Sequence, residues 1–258
     1  MFGMLTSVNG VLRGYFYNEG YLRTSSKEFD LKDISNKYIH LTNDAIQQMA
    51  HDFGKFESGN KLSFSDFQTY LQTAKDLKPR FRGPNGKVNF QKQILPQMRH
   101  LVAESFRSVG LNKIDPRRKN YSFEIFGFDF MIDEDFSVFL IEANTNPCLE
   151  TNCPILSRIV PVMLDSSFRI ALDPLLPPPD LNFKRAHEAL QENRYTLVFD
   201  DSVEGETLKN LFMAQQAEPE YRAASENPYI EEISPDNWDY SSKPQSATRS
   251  FNSALGKS

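Results

Sequence analysis

Cysteine is nearly absent from this chain: only Cys148 and Cys153 occur, and neither belongs to a CxxC pair. That excludes a disulfide framework and a thiolate zinc site, and it suits a reducing compartment such as the cytosol. Long apolar runs are missing too. The best, from Ile155 to Leu164, is broken by Ser157, Arg158 and Pro161, short of the roughly 18 residues that a membrane span needs. The first residues carry no basic segment followed by an apolar one, so no secretory signal is expected. There is no glycine-rich phosphate loop, and no Cys-His or Ser-His-Asp set stands out for covalent catalysis.

What is present is aromatic and unevenly charged. The 21 Phe and 10 Tyr supply ample material for a packed interior, and 258 residues allow one or two domains. The net charge is −5, yet from Lys75 to Lys119 twelve Lys and Arg face only three acids. A basic block in an acidic protein points to an acidic partner, either nucleic acid or an acidic polypeptide. A solvated loop and helix face is the competing reading.

Period-2 runs predict strands at Phe2–Ser7 and Val11–Tyr17, joined through Asn9-Gly10, whose residues tolerate a tight hairpin turn. Asn18-Glu19-Gly20 marks a second turn, and Tyr21 to Ser25 continues extended. Thr42 or Asn43 is placed to cap a helix through Met49. Further helices are expected from Phe64 to about Ala74, through Ile94–Phe106 with Pro96 in the first turn, and from Pro154 to Leu172 with a kink at Pro161. Strands follow the same logic at Phe123–Ile132, Val138–Ala143 and Tyr195–Phe199, with a short helix at Phe183–Glu192. After Met213 the apolar periodicity is lost, and the tail is expected to be disordered.

The most informative segment runs from Phe123 to Asn146. Asp129 lies between Phe128 and Phe130, and Glu142 follows the apolar run Val138 to Ile141. Both acids are therefore expected on the interior side of a site. A hairpin whose loop holds an even number of residues puts Asp129 opposite Glu142, with Cβ atoms about 5 Å apart. Two ionised carboxylates that close repel each other unless a cation lies between them. Asn144, two residues past Glu142 on the same face, adds a neutral oxygen. Oxygen donors without His or Cys favour Mg²⁺ over zinc. Acids placed by chance at a wet edge are the alternative.

Three motifs in order, Glu19-Gly20-Tyr21-Leu22-Arg23-Thr24-Ser25, His40-Leu41-Thr42-Asn43 and Phe126-Gly127-Phe128-Asp129-Phe130 followed by Ile141-Glu142-Ala143-Asn144, closely resemble the tubulin-tyrosine-ligase-like family. The resemblance covers roughly Phe2 to Phe199. It implies an α+β fold, the C-terminal part of an ATP-grasp fold truncated at its N-terminus, with an antiparallel sheet packed against helices. The lobe is expected to occupy 1–200, with a short ordered extension at 201–212 and the disordered tail at 213–258.

The resemblance also implies ATP and Mg²⁺ as cofactors, Asp129, Glu142 and Asn144 as metal ligands, and Thr42 and Asn43 as nucleotide contacts. A plain helix cap is the competing reading for those two. Arg23, as the catalytic substrate-binding residue, would hold the carboxylate of the incoming amino acid, a task suited to a planar guanidinium. Lys61 lies where some members place a second substrate-binding cation; a solvated loop lysine is the other reading. The implied chemistry is ATP-dependent: an acceptor carboxylate attacks the γ-phosphate, and an amine then displaces phosphate from the acylphosphate. The implied partners are the acidic C-terminal tails of tubulin or microtubules and a free amino acid, with no nucleic acid and no membrane. The implied location is the cytoplasm, at cytoskeleton or cilium.

Two departures touch the donor. Asp44-Ala45 follows the Thr-Asn pair where glutamylases of the family carry Tyr-Ser, and Thr145-Asn146-Pro147-Cys148 replaces their Ser-Pro-Ser region. Glutamate is thereby disfavoured, and tyrosine and glycine stay open. The family's adenine pocket and phosphate-binding lysines would precede Met1, so 1–258 alone is expected to bind ATP weakly and not to turn over. Its Phe2–Ser7 strand is expected near a sheet edge. A non-catalytic module that binds acidic tubulin tails through the basic block is the alternative function, and a ligase acting on another substrate is a third.

Overall fold

The computed structural model describes residues 1–55, 57–74, 87–110, 121–177 and 193–217, with side chains as far as 210. The chain divides into two units, Met1–Asn210 and Leu211–Ser258; within the second, only the end of one helix is described. The expected helix at Phe183–Glu192, the tail beyond 217 and eight of the twelve Lys and Arg of the basic block lie outside the described residues.

The first unit is a mixed α+β structure built on a five-stranded sheet in the order β6-β5-β1-β2-β7, with every neighbour antiparallel. Its strands are β1 (Phe2–Val8), β2 (Val11–Tyr17), β5 (Ser122–Ile132), β6 (Val138–Asn144) and β7 (Tyr195–Asp200). Asn9 and Gly10, with φ of 52° and 82°, make the left-handed turn that their residue types allow. The expectation that Phe2–Ser7 lies near an edge is corrected: β1 is the central strand, paired on both sides. Alternation explains why. Gly3 and Leu5 face one side while Phe2 and Met4 face the other, so β1 is apolar on both faces and needs a cover on each.

Two helices provide that cover. Helix α4 (Leu95–Gly110), entered through a single π turn at Phe90–Ile94, buries Met98, Val102 and Phe106 against Leu12, Phe16, Phe128 and Phe199. Helix α5 (Pro154–Ala171) buries Leu156, Ile159, Val160 and Met163 against Phe2, Met4, Tyr17 and Tyr195. Pro161 sits inside that helix, whose hydrogen-bonded span continues past it. A last helix, α6 (Asp201–Ala217), follows β7 and runs beyond residue 212. Among the described residues no helix is long and apolar enough to cross a membrane.

One glycine is dictated by packing. A Cβ on Gly14 would come within 2.4 Å of Cδ2 of the buried Phe106 ring. The ring is held between Phe126 and Phe128, with centroids 5.9 and 5.7 Å away, so it has little room to retreat. Gly14→Ala is expected to cost about 1–3 kcal/mol through overpacking, read as a fall of several degrees in melting temperature. An unchanged melting temperature would show that α4 can shift freely.

On the α5 side, burial pushes the Tyr15, Tyr17 and Tyr195 hydroxyls above the ordinary value of 10.0, Tyr195 most strongly. In the unfolded chain these phenols ionise near their ordinary value; in the folded chain they keep their protons. Their contribution is therefore complete below about pH 10 and is lost as the pH rises through the folded values. Urea unfolding at about pH 8 and about pH 10.5 should show lower stability at the higher pH, and Tyr195→Phe should lessen the difference. Equal loss in both proteins would exclude Tyr195 as a source.

A smaller ribbon, β3 (Tyr21–Arg23) with β4 (Lys61–Ser63), carries the rest of the site. Around it lie two one-turn helices, α1 (Lys37–His40) and α2 (Asp44–Gln47), and the longer α3 (Phe64–Thr73), which Ser63 caps by accepting from Asp66 N at 3.1 Å.

Candidate functional site

A cleft of about 1390 Å³ runs between this ribbon and the β5–β6 hairpin. Its lining includes the polar residues Arg23, Thr42, Asn43, Glu57, Asp129 and Glu142 and the apolar or aromatic residues Phe64, Phe67, Tyr70, Met98, Phe130 and Phe136. Five of the seven residues singled out from the sequence therefore meet in one place. Asn144 stands just outside, with its Nδ2 donating to Glu142 Oε1 at 3.1 Å. Lys61 does not line the cleft.

Asp129 is directly opposite Glu142, and Gly127 is opposite Asn144. This register does not come from an even-numbered turn. Ile132 pairs with Val138, which leaves five residues in the loop, and such a loop alone would set Asp129 opposite Ile141. A bulge between Asp129 and Phe130 shifts the register by one residue and brings Glu142 across instead. The turn itself is tightened by Asp133, whose Oδ1 accepts from Asp135 N at 3.0 Å and Ser137 N at 2.7 Å, with Phe136 at a φ of 62°.

The expected interior placement of both acids is corrected by the sheet order. Strand β6 is an edge, so Glu142 and Asn144 are exposed, and Asp129 is half-buried on the inner strand. The carboxylates face an open cleft rather than the core.

Arg23 forms an ion pair with Asp129 Oδ2 through Nη2. Burial opposes the guanidinium charge, but Asp129 outweighs it by Coulombic attraction and hydrogen bonding, and the pKa of Arg23 lies above its ordinary value. The neighbouring Tyr21 hydroxyl is pushed up, by burial first and then by Asp44 and Asp129, with Arg23 opposing. Lys61 is directly across the ribbon from Arg23 and is far from a solvated loop lysine. Its side chain is only 4% exposed, sits on β4 and pairs with Asp44.

Asn43 occupies the cap position of α2 without a side-chain cap hydrogen bond, and α2 ends at Gln47 rather than reaching Met49. Thr42 and Asn43 therefore line the cleft with side chains not spent on capping.

A buried polar network behind these groups has no counterpart in the motifs. Gln47, fully buried, accepts through Oε1 from Ser26 N at 2.8 Å and from Ser26 Oγ at 2.6 Å. Its Nε2 donates to the carbonyls of Tyr38 at 3.2 Å and Leu41 at 2.6 Å. Asn60, held at a φ of 51°, donates to Thr24 O and Ser26 Oγ at 3.1 Å each and accepts from Gly54 N at 3.3 Å. The strand of Arg23 is thus bolted to the segment that presents Thr42 and Asn43. A glutamine in a short helical stretch carries no sequence signal for this; only its neighbours in space reveal it.

The donor chemistry is that of a hard cation. Asp129 and Glu142 stand opposite each other on the hairpin, and Asn144 lies beside Glu142, to which its Nδ2 donates. Among the described residues no group of three His, Cys, Asp or Glu is placed to hold a metal. That fits a Mg²⁺ site, which takes one or two protein carboxylates and leaves its other positions to water and phosphate. It does not fit a closed structural site.

The family model described as the tubulin-tyrosine ligase family covers residues 1–180, and the chain belongs to that family. Tubulin glycylase 3A of Drosophila melanogaster is 34% identical over 164 residues, covering 62% of this chain and 15% of that protein. Human protein monoglycylase TTLL8 is 30% identical over 163 residues, 62% of this chain and 18% of its own length. Tubulin glycylase 3D of Tetrahymena thermophila is 31% identical over 159 residues, 62% and 14% respectively. The matched stretch thus spans less than a fifth of each of these relatives.

Proposed function

We propose that this chain is the metal-facing part of an ATP- and Mg²⁺-dependent ligase that joins an amino acid, glycine, to tubulin. The observation that carries this reading is the Asp129–Glu142 cross-strand pair, open to a cleft that also holds Arg23. Support for the substrates comes from the relatives, which are described as tubulin glycylases and a protein monoglycylase. Asp44-Ala45 after the Thr-Asn pair agrees with a donor other than glutamate.

In this reading Asp129, Glu142 and Asn144 hold Mg²⁺, which when bound neutralises phosphate charge during phosphoryl transfer. Thr42 and Asn43 meet the nucleotide, and Gln47 and Asn60 keep their segment in register with Arg23. Arg23 grips the donor's carboxylate and so orients its amine. Positioning of this kind supplies much of the rate in a reaction with no covalent enzyme intermediate.

The test has two readouts. Mn²⁺ titration of the 258-residue chain, followed by electron paramagnetic resonance, should show a site that Glu142→Gln weakens at least about 100-fold, since a neutral amide cannot offset divalent charge. In a full-length version that carries this chain, transfer of labelled glycine to tubulin with ATP should be lost on the same substitution. Metal binding indifferent to Glu142 would sink the reading, and transfer of glutamate in place of glycine would refute the donor.

A further inference from the structure

The ion pair between Arg23 and Asp129 has a consequence for the order of binding, resting on the reading above. Asp129 is asked to serve two cations. Its Oδ2 is taken by Arg23, while its cross-strand partner Glu142 has no cation of its own among the described residues. A divalent ion between the two carboxylates draws on Asp129 with twice the charge of the guanidinium. It also relieves a repulsion between Asp129 and Glu142 that Arg23, attached to one of them, relieves only in part.

We propose that Arg23 and the metal compete for Asp129, so that filling the metal site releases Arg23 to bind the donor's carboxylate. The metal is the gate, and the amino-acid site is completed only behind it.

Among the described residues the other acids near Arg23 are already engaged. Lys61, opposite it on the ribbon, is buried and holds Asp44. Glu57, which also lines the cleft, accepts from Thr24 Oγ1 at 3.1 Å. Once displaced, the guanidinium is a cation with 28% of its side chain exposed, lying across from a second cation. A guanidinium freed of its partner beside a second cation attracts an anion from outside. A carboxylate matches its planar fork, and the donor amino acid carries one. Because Arg23 and Lys61 stand among four acids, Asp44, Glu57, Asp129 and Glu142, before the metal arrives, the site has little attraction for a free carboxylate in that state.

The experiment is a Mn²⁺ titration of the 258-residue chain as wild type, R23Q, R23K and E142Q, with and without glycine. Removing the competing cation in R23Q should tighten Mn²⁺ by roughly five- to tenfold, and R23K, which keeps a cation, should stay near wild type. Glycine should tighten Mn²⁺ in the wild type and not in R23Q, since coupling between two ligands is reciprocal. Circular dichroism of each variant confirms that it is folded. Mn²⁺ affinity unchanged or weakened in folded R23Q, beside a wild-type site that E142Q abolishes, overturns the exchange and leaves the metal site standing. Absence of any Glu142-dependent Mn²⁺ binding in the wild type overturns both.

Discussion

Gln47→Leu is expected to lower the melting temperature of this chain by roughly 10 °C. The side chain is fully buried and makes hydrogen bonds to Ser26 N, Ser26 Oγ, Tyr38 O and Leu41 O, all between 2.6 and 3.2 Å. Leucine fills a similar volume but removes all four bonds, most sharply at the buried Ser26, whose N–H loses this partner. Each stranded group costs about 1–3 kcal/mol, and with partial relaxation the sum comes to about 3–5 kcal/mol. For a chain of this size each kcal/mol moves the transition by about 2–4 °C. Thermal unfolding followed by circular dichroism checks it. A shift of less than roughly 3 °C would mean that water replaces the lost bonds and that the network is looser than its distances imply.

The opposite profile is expected at Asp129. Asp129→Ala should remove Mn²⁺ binding to beyond measurement, a loss of at least about 100-fold, while changing stability by no more than about 1 kcal/mol. The carboxylate is 35% exposed and its partner Arg23 28%, so water reaches both and the ion pair adds little to folding. Its importance is directional. It is the inner half of a cross-strand pair whose outer half, Glu142, stands on an edge strand. Calorimetric titration and thermal unfolding of one protein sample separate the two effects. A melting temperature that collapses along with metal binding would place Asp129 in the scaffold and refute its assignment to the cleft.

Most elements were legible because their sequence patterns were strong. The Asn9-Gly10 hairpin, the strand of Phe123–Ile132, the long helix from Pro154 and the helix from Phe64 follow from period and turn chemistry alone. The hairpin that opposes Asp129 to Glu142 was also foreseen, but for an incomplete reason. An even loop was expected, whereas the structure combines a five-residue loop with a one-residue bulge, and the two irregularities cancel. Register depends on the sum of such steps, and no local residue type announces a bulge.

The sequence by itself singled out Arg23, Thr42, Asn43, Asp129, Glu142 and Asn144, because they sit in three short motifs whose order resembles that of a known family. The same resemblance implied a mixed α+β fold, and the strand and helix periods along the chain agree with it. Only the tertiary structure decided where these groups stand. Strand order made β1 central and β6 an edge, which turned Glu142 outward, because pairing partners are chosen by faces that need cover and not by position in the chain. Burial on β4 took Lys61 out of the cleft and gave it to Asp44. The contact of Arg23 with Asp129 joins residues 106 positions apart. Interactions of that span depend on how the sheet and the ribbon pack together, and a one-dimensional pattern carries no record of it.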